Sequence, residues 1–398
     1  MKQKTDRNAT RTIMLKLIVL FTFIIILISC GKDENLTNPT GNELYDVVFD
    51  KTYDLSTGPS EASDIIETSQ GGYLIAGRNK TGTVNHSALL RLDVNGNELW
   101  NKTYNNGRSL HSVIEVEGSG FVAVGAAKDS NYIVRTDYQG NIVWEVQHYF
   151  QYSDDIRKVI KTKDGGFLAI ANSYATSVNA RLLKLNSSGT INWVTIIQGN
   201  PAVKVYSVKE NADSTISLFG TSKTTSNPES WFLTLDKNGN ELTRKSITGS
   251  IAELGYTFYE YSVHQTSSGY FAGCGVEFFF LFESNGNLVI KRAVQPTKNY
   301  YDLRMYSLVP SLSNGFVACG HQNQSVLIDS VFSTKSIASL FLFNSSGAFS
   351  KSVEIGDTSG YNSATSVIEA NDNSIVCGGY KTLDGLKTEI WVKKIKLK

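Results

Sequence analysis

Three aspartates and a group of tyrosines are the residues of this chain best suited to hold a ligand. Asp154 and Asp155 are adjacent, Asp302 directly follows Tyr300 and Tyr301, and Tyr152, Tyr256 and Tyr259 lie in comparable stretches. Aromatic faces flanked by polar acceptors suit sugar rings or a loop of a partner protein, because they combine apolar area with hydrogen bonding at low entropic cost. The same carboxylates admit a second chemistry. Asp154 or Asp155 set across from Asp302 or Glu260 would form the acid pair that glycosidic cleavage requires.

Other patterns point to structure instead. The five histidines, His86, His111, His148, His264 and His321, show no metal-ligand spacing. Asp93 to Glu98 and Asp236 to Glu241 are acidic enough to suggest calcium, but a calcium loop runs about 12 residues and ends on a bidentate Glu. Asn-Gly between alternating runs is the chemistry of a tight hairpin. Cys274, Cys319 and Cys377 stand where equivalent segments have Ala76, Val124 or Phe219, so they read as small core residues. No nucleophile elbow, phosphate loop or dinucleotide fingerprint occurs, and neither a metal nor a cofactor is expected.

The 398-residue chain has a formal net charge of +1. Without residues 1–29 it keeps 33 basic and 36 acidic groups, too even a balance to attract nucleic acid or an anionic bilayer. Residues 1–29 have the layout of an export signal. Basic residues up to Lys16 precede the apolar run Leu17 to Ile28, which at 12 residues falls short of the ~20 a spanning helix needs. Leu27-Ile28-Ser29-Cys30 resembles a bacterial lipobox, which implies that Cys30 receives lipid and becomes the first residue of the mature protein. Gly31-Lys32-Asp33-Glu34 is similar to the short export tag of surface-displayed lipoproteins in Bacteroidota. Residues 30–44 then form a lipidated, flexible tether. The expected location is the cell envelope, as an outer-membrane lipoprotein facing the periplasm or the exterior.

The elements that must position the candidate residues come from a repeat of about 50 residues, a period typical of propellers and solenoids. Its first copy runs from Asp64 through Gly72, Tyr73 to Gly77, Ala88 to Asp93 and Glu98 to Tyr104, which makes four strand-length runs bounded by turn residues. Further copies span Ser112 to Val146, Arg157 to Ile197, Tyr206 to Ile247, Tyr261 to Val294, Met305 to Val353 and Thr365 to Leu397. The seventh ends after its third strand. The missing strand is found at the other end, where Val47 to Tyr53 aligns with Glu98 to Tyr104 and sets Phe49 in the place of Trp100. A fourth strand donated from the N-terminus would close a ring and leave no long unpaired edge. We therefore expect an all-β, seven-bladed β-propeller of four-stranded antiparallel blades over residues 45–398, with six or eight blades as the alternatives. Val47 and Phe49 are expected in its core. Trp100, Trp144 and Trp193 share one strand position and are expected to pack blade against blade.

The repeat, from Gly71-Gly72-Tyr73 through Leu92-Asp93 to Trp100 and Tyr104, resembles that of secreted bacterial propellers of Bacteroidota, quinoprotein-like in fold. The resemblance covers residues 45–398 and implies the fold, not the activity. Quinone-dependent enzymes of this architecture use a docking tryptophan that Thr243 and Ile290 replace in two blades here. Connections Arg78 to His86, Thr221 to Ser230, Gly249 to Phe258 and His321 to Ser336 are long and should emerge on one rim, where variable loops usually bind partners. The reading is a binding or scaffolding module for a glycan or an envelope protein. A hydrolase or lyase acting on polysaccharide, and a purely structural envelope role, are the alternatives. If Cys30 alone carries the membrane attachment, Cys30→Ala should move the exported protein from the membrane fraction to the soluble fraction. Retention in the membrane fraction would overturn the assignment.

Overall fold

The computed structural model describes residues 44–150, 154–173, 179–199, 202–223, 228–247, 262–266, 271–275, 277–283, 287–295, 300–311, 315–328, 331–357, 360–383 and 387–398. Among them every regular element is a strand, and the strands form seven four-stranded antiparallel sheets. Innermost strands of successive sheets contact one another all the way round, the last meeting the first, so the sheets are the blades of a closed propeller.

Stacking of blades face to face explains the burial of each strand. In blade 2 the second and third strands, Gly120–Ala126 and Asn131–Thr136, are covered on both faces and buried throughout, whereas the outermost strand Ile142–His148 stays partly exposed. That is why middle strands read as continuous apolar runs and outer strands alternate with charged residues.

The ring closes as the repeat requires. Tyr45–Tyr53 pairs antiparallel with Lys387–Leu397, from Tyr45 opposite Leu397 to Tyr53 opposite Ile390. The sheet order places this N-terminal strand at the outer edge of the last blade. Trp391 Nε1 donates to Asp50 Oδ1 across the seam (2.7 Å), and Lys393 pairs with the same carboxylate at 2.8 Å. The buried side chains of the donated strand are Tyr45, Phe49 and Tyr53. Val47 is 44% exposed, because a bulge between Val47 and Phe49 interrupts the simple alternation.

One joint recurs between neighbouring blades. The outer-strand aromatic of one blade lies on the turn glycine of the next, so a Cβ at Gly96 would stand 2.8 Å from the Phe49 ring, and one at Gly140 2.8 Å from Trp100. Trp144 on Gly189 and Trp193 on Gly239 repeat the contact. Gly96 and Gly140 also have φ of 71° and 76°, a conformation that favours glycine in these hairpins. Beside the aromatic, Tyr53 Oη donates to Gly96 O (2.7 Å), Tyr104 Oη to Gly140 O (2.9 Å) and Thr195 Oγ1 to Gly239 O (2.8 Å).

A buried cation on the third strand ties down the short turn of its own blade. Arg91 donates to Tyr73 O, Leu92 O, Gly71 O and Thr68 Oγ1, Arg135 to Phe121 O, Thr136 O and Ser119, and Lys184 to Thr162 Oγ1 and Asp164. Each uses its donors on carbonyls and hydroxyls that the turn leaves unpaired, as buried charge requires.

Two expected loops are ordered otherwise. Residues 78–86 continue the strands Tyr73–Thr81 and Val84–Leu92, and residues 321–328 and 331–336 belong to the paired strands Gly315–Ile328 and Val331–Asn344. Extending the ladder satisfies backbone groups that an irregular loop would leave to water, and mixed polar side chains hide such an extension from hydropathy. Residues 224–227 of the third expected loop, and all of 249–258, lie outside the described residues. Deleting residues 45–53 removes the seam and the burial of Tyr45, Phe49 and Tyr53, each worth about 1.5–3 kcal/mol. The truncated protein should melt markedly lower or aggregate through the bared edge of Lys387–Leu397. Unchanged melting would exclude a stabilising closure.

Candidate functional site

Innermost strands of the blades line a central channel of about 860 Å³. In a regular strand successive side chains point to opposite faces, so only alternate residues would reach it. Six of these strands carry a bulge at the same place: between Ala62 and Asp64, Leu110 and Ser112, Ile156 and Lys158, Val205 and Ser207, Met305 and Ser307, and Ala364 and Ser366. A bulge adds a residue and re-aims the chain locally. Consecutive pairs such as Arg157-Lys158, Tyr206-Ser207 and Tyr306-Ser307 thereby both border the channel.

In four blades the residue at this second position forms a belt hydrogen bond to the next blade. Ser262 Oγ accepts from Leu308 N–H (3.1 Å), Ser307 Oγ from Val367 N–H (3.4 Å), Ser366 Oγ from Ile65 N–H (3.3 Å) and Asp64 Oδ2 from Val113 N–H (3.0 Å). These bonds occupy amide groups at the bulges and fix the bulged residues as a rigid collar, the kind of support a precise site needs.

The first residue is varied: Ser63, His111, Arg157, Tyr206, Tyr306 and Thr365, five types in six blades. Blades 2 and 3 join here in a charged cluster. Asp155 Oδ2 lies 3.5 Å from His111 Nε2 and 3.4 Å from the Arg157 guanidinium, and Ser109 Oγ is 3.0 Å from His111 Nε2. Burial alone would raise the Asp155 pKa, but the hydrogen bond to His111 and the charges of His111, Arg157 and Arg108 hold it below the usual carboxylate value. On blade 1, Arg78 and Glu61 form a 2.9 Å ion pair at the channel wall. Two residues past the belt, His264 is pushed down to about 4 by desolvation, with the charge of Lys158 acting in the same direction. Among the described residues no group of three or more His, Cys, Asp or Glu could hold a metal ion.

The residues expected to bind fall into three groups. Asp155 borders the channel. Asp302, on the innermost strand of blade 6, accepts from Asn323 Nδ2 (2.9 Å) and lies 3.6 Å from Arg304 Nε, so it belongs to a separate cluster. Tyr301 is 55% exposed with its hydroxyl 3.0 Å from Thr334 Oγ1, while burial and a hydrogen bond to Glu354 push the Tyr300 hydroxyl to a higher pKa. Asp154 begins the blade 3 strand opposite Ser173, and nothing is described of its side chain. Tyr152, Tyr256, Tyr259, Glu260 and Cys30 lie outside the described residues. Sequence reasoning passed over His111, Arg157, Lys158, Tyr206 and Tyr306. Their signal is a column of the repeat, just before the strand's aliphatic run, that is polar or aromatic and varied in type.

The bulged collar and closed ring define a channel-bearing β-propeller. In fold it is similar to the quinohemoprotein alcohol dehydrogenase ADHIIG from Pseudomonas putida HK5, at 8% identity over 90% of this chain and 77% of that chain, with a TM-score of 0.51. It is likewise similar to Sqt1 from Chaetomium thermophilum, at 12% identity over 84% and 83% of the two chains and a TM-score of 0.51. A protein of unknown function from Dyadobacter fermentans DSM 18053 aligns at 12% identity over 89% of this chain and 99% of that chain, with a TM-score of 0.46. No protein-family model and no curated protein matches the chain. At these identities the likeness shows a quinoprotein-like propeller fold.

Asp155 has a depressed folded pKa, so its contribution to stability is present above the unfolded carboxylate value and is lost as pH falls through the folded one. Asp155→Asn should therefore melt below the wild type at neutral pH, with the gap closing as pH drops below about 4. A gap that stays constant into acid would show that the ionised carboxylate is not its source.

Proposed function

We propose that this protein is a lipid-anchored binding or scaffolding module of the cell envelope, held to the outer membrane through Cys30, which receives a glycan or a segment of an envelope protein at its central channel. One observation carries the reading. At the bulged position six blades that otherwise repeat one another present five types of side chain, Ser63, His111, Arg157, Tyr206, Tyr306 and Thr365, to a common cavity on a hydrogen-bonded collar. A ring serving only as a strut has no use for that variety. A cavity of about 860 Å³ is within the roughly 300–1,000 Å³ of ordinary ligand sites.

The placement of the carboxylates favours binding over hydrolysis. Glycosidic cleavage needs an ionised and a protonated carboxyl facing one bond, whereas Asp155 is tied to His111 and Arg157 and Asp302 belongs to a separate cluster with Asn323 and Arg304. An ionised carboxylate fixing an arginine is a means of orienting a ligand. The lipobox, the tag-like residues after it and the repeat support membership of the Bacteroidota propeller lipoproteins, with display on the cell surface.

A photo-activatable residue placed at Ser63 should give an adduct with a glycan or protein on intact cells, and one placed at Asn97, on the opposite short-turn rim, should not. Adducts from position 97 alone would move the working face to that rim. Turnover of a polysaccharide by the purified protein would replace the module with a hydrolase or lyase.

A further inference from the structure

The channel differs in charge from the chain that builds it. Among the described residues its lining holds six Lys or Arg and three Asp or Glu, an excess of three positive charges, while the whole chain has a formal net charge of +1. All three carboxylates are engaged within the protein: Glu61 with Arg78, Asp64 with the Val113 amide, and Asp155 with His111 and Arg157. The remaining positive charge comes from Arg108, Lys158 and Lys209, which converge from blades 2, 3 and 4, with Lys204 beside them donating to Ser173 O. A concave, low-dielectric wall focuses such a field and draws anions toward it.

Lys158 is the second observation. It occupies the belt position where blades 1, 5, 6 and 7 place Asp64, Ser262, Ser307 and Ser366 as acceptors for the next blade's amide. An ammonium group cannot accept. Blade 3 is joined to blade 4 by another device, Asn172, whose Oδ1 accepts Val205 N–H (2.9 Å) and whose Nδ2 donates to Val205 O (2.8 Å). At blade 3 the position is therefore held by a cation bordering the channel, directly after Arg157, and the joint to blade 4 is made beside it. A structural collar gains nothing from a cation there, whereas an anion site gains a second positive group next to the first.

We infer that the channel is an anion site for an acidic oligosaccharide, with Arg157 and Lys158 engaging a carboxylate or sulfate of the sugar and Lys204 and Lys209 serving the adjoining unit. Tyr206 and Tyr306 border the same space and offer ring faces to the pyranose. This inference rests on the binding-module reading and narrows it to one ligand chemistry.

The test uses the full-length protein in a non-ionic detergent and three probes in calorimetry: trigalacturonate, its fully methyl-esterified form, and a sulfated chondroitin disaccharide. Trigalacturonate or the sulfated disaccharide should bind at least about tenfold more tightly than the ester, a difference of one ion-pair contact or more. The tighter of the two anionic probes identifies carboxylate or sulfate as the source of the charge. Binding should weaken severalfold as salt is raised past physiological strength. Lys158→Met should lose about tenfold in affinity, and Lys209→Gln, at an exposed position that leaves the belt untouched, should lose severalfold without changing the melting temperature. Equal binding of the ester would overturn the anion inference while leaving a glycan-binding module in place. No binding of either anionic probe, or unchanged affinity in both variants, would also overturn it.

Discussion

Closure of the ring is the constraint on which everything else depends. Each blade is a thin sheet with two apolar faces, and neither face is covered by anything but the neighbouring blades. A ring satisfies all the faces at once, provided that its first and last members meet. Pairing of Tyr45–Tyr53 with Lys387–Leu397 makes them meet, by joining the two ends of the chain within a single sheet. The last blade would otherwise present Lys387–Leu397 as an open edge, ready to pair with another chain. Closure also makes the architecture cooperative, since separation of any two blades exposes apolar area on both.

Within the closed ring, the joints between blades divide by radius. At the outside, aromatics such as Phe49 and Trp100 lie on the turn glycines of the next blade, with Tyr53 and Tyr104 donating to the same turns. At the inside, side-chain oxygens of Asp64, Ser262, Ser307 and Ser366 receive backbone amides across the seam. The outer joint is apolar packing with a few hydrogen bonds to the turn, and its loss would cost mainly burial. The inner joint consists of polar groups beside a polar channel, where geometry matters more than area. Buried Arg91, Arg135 and Lys184 serve neither joint. They hold each blade's own short turn in shape, so that the blade arrives at both joints as a rigid unit.

The channel inherits its precision from that inner joint. A bulged strand is locally irregular and would be expected to move, but in four blades the amide beside the bulge is engaged by the preceding blade. Side chains such as Tyr306 and Thr365 are therefore mounted on a scaffold fixed from two sides. The blades differ at the bulged position because much of the joint is made by the residue beside it, although Thr365 Oγ1 also donates to Ala62 O across the seam and His111 meets Asp155 of the next blade. This partial separation of duties lets a repeat keep its fold while its channel acquires a particular chemistry. Lys158 shows the limit of the rule, since at blade 3 the belt position itself holds a charge and Asn172 makes the joint.

The sequence by itself determined the architecture. The repeat, the short stereotyped turns and the displaced strand Val47 to Tyr53 specify a closed propeller, because each is a local pattern with one physical reading. Burial along that strand was less legible, and Val47 proved exposed together with its neighbours, since a bulge shifts the alternation and leaves no mark in hydropathy. The tertiary structure alone decided the site. His111 and Asp155 lie in different blades, 44 positions apart in the chain, and become neighbours only when two innermost strands are set side by side around the axis. Asp302, which looked equivalent to Asp155 as an acid beside tyrosines, is drawn instead to Asn323 and Arg304. Spacing along a strand fixes which face a residue takes, but which residues from separate blades converge is settled by the registers of the seven sheets and the bulges that re-aim their inner edges.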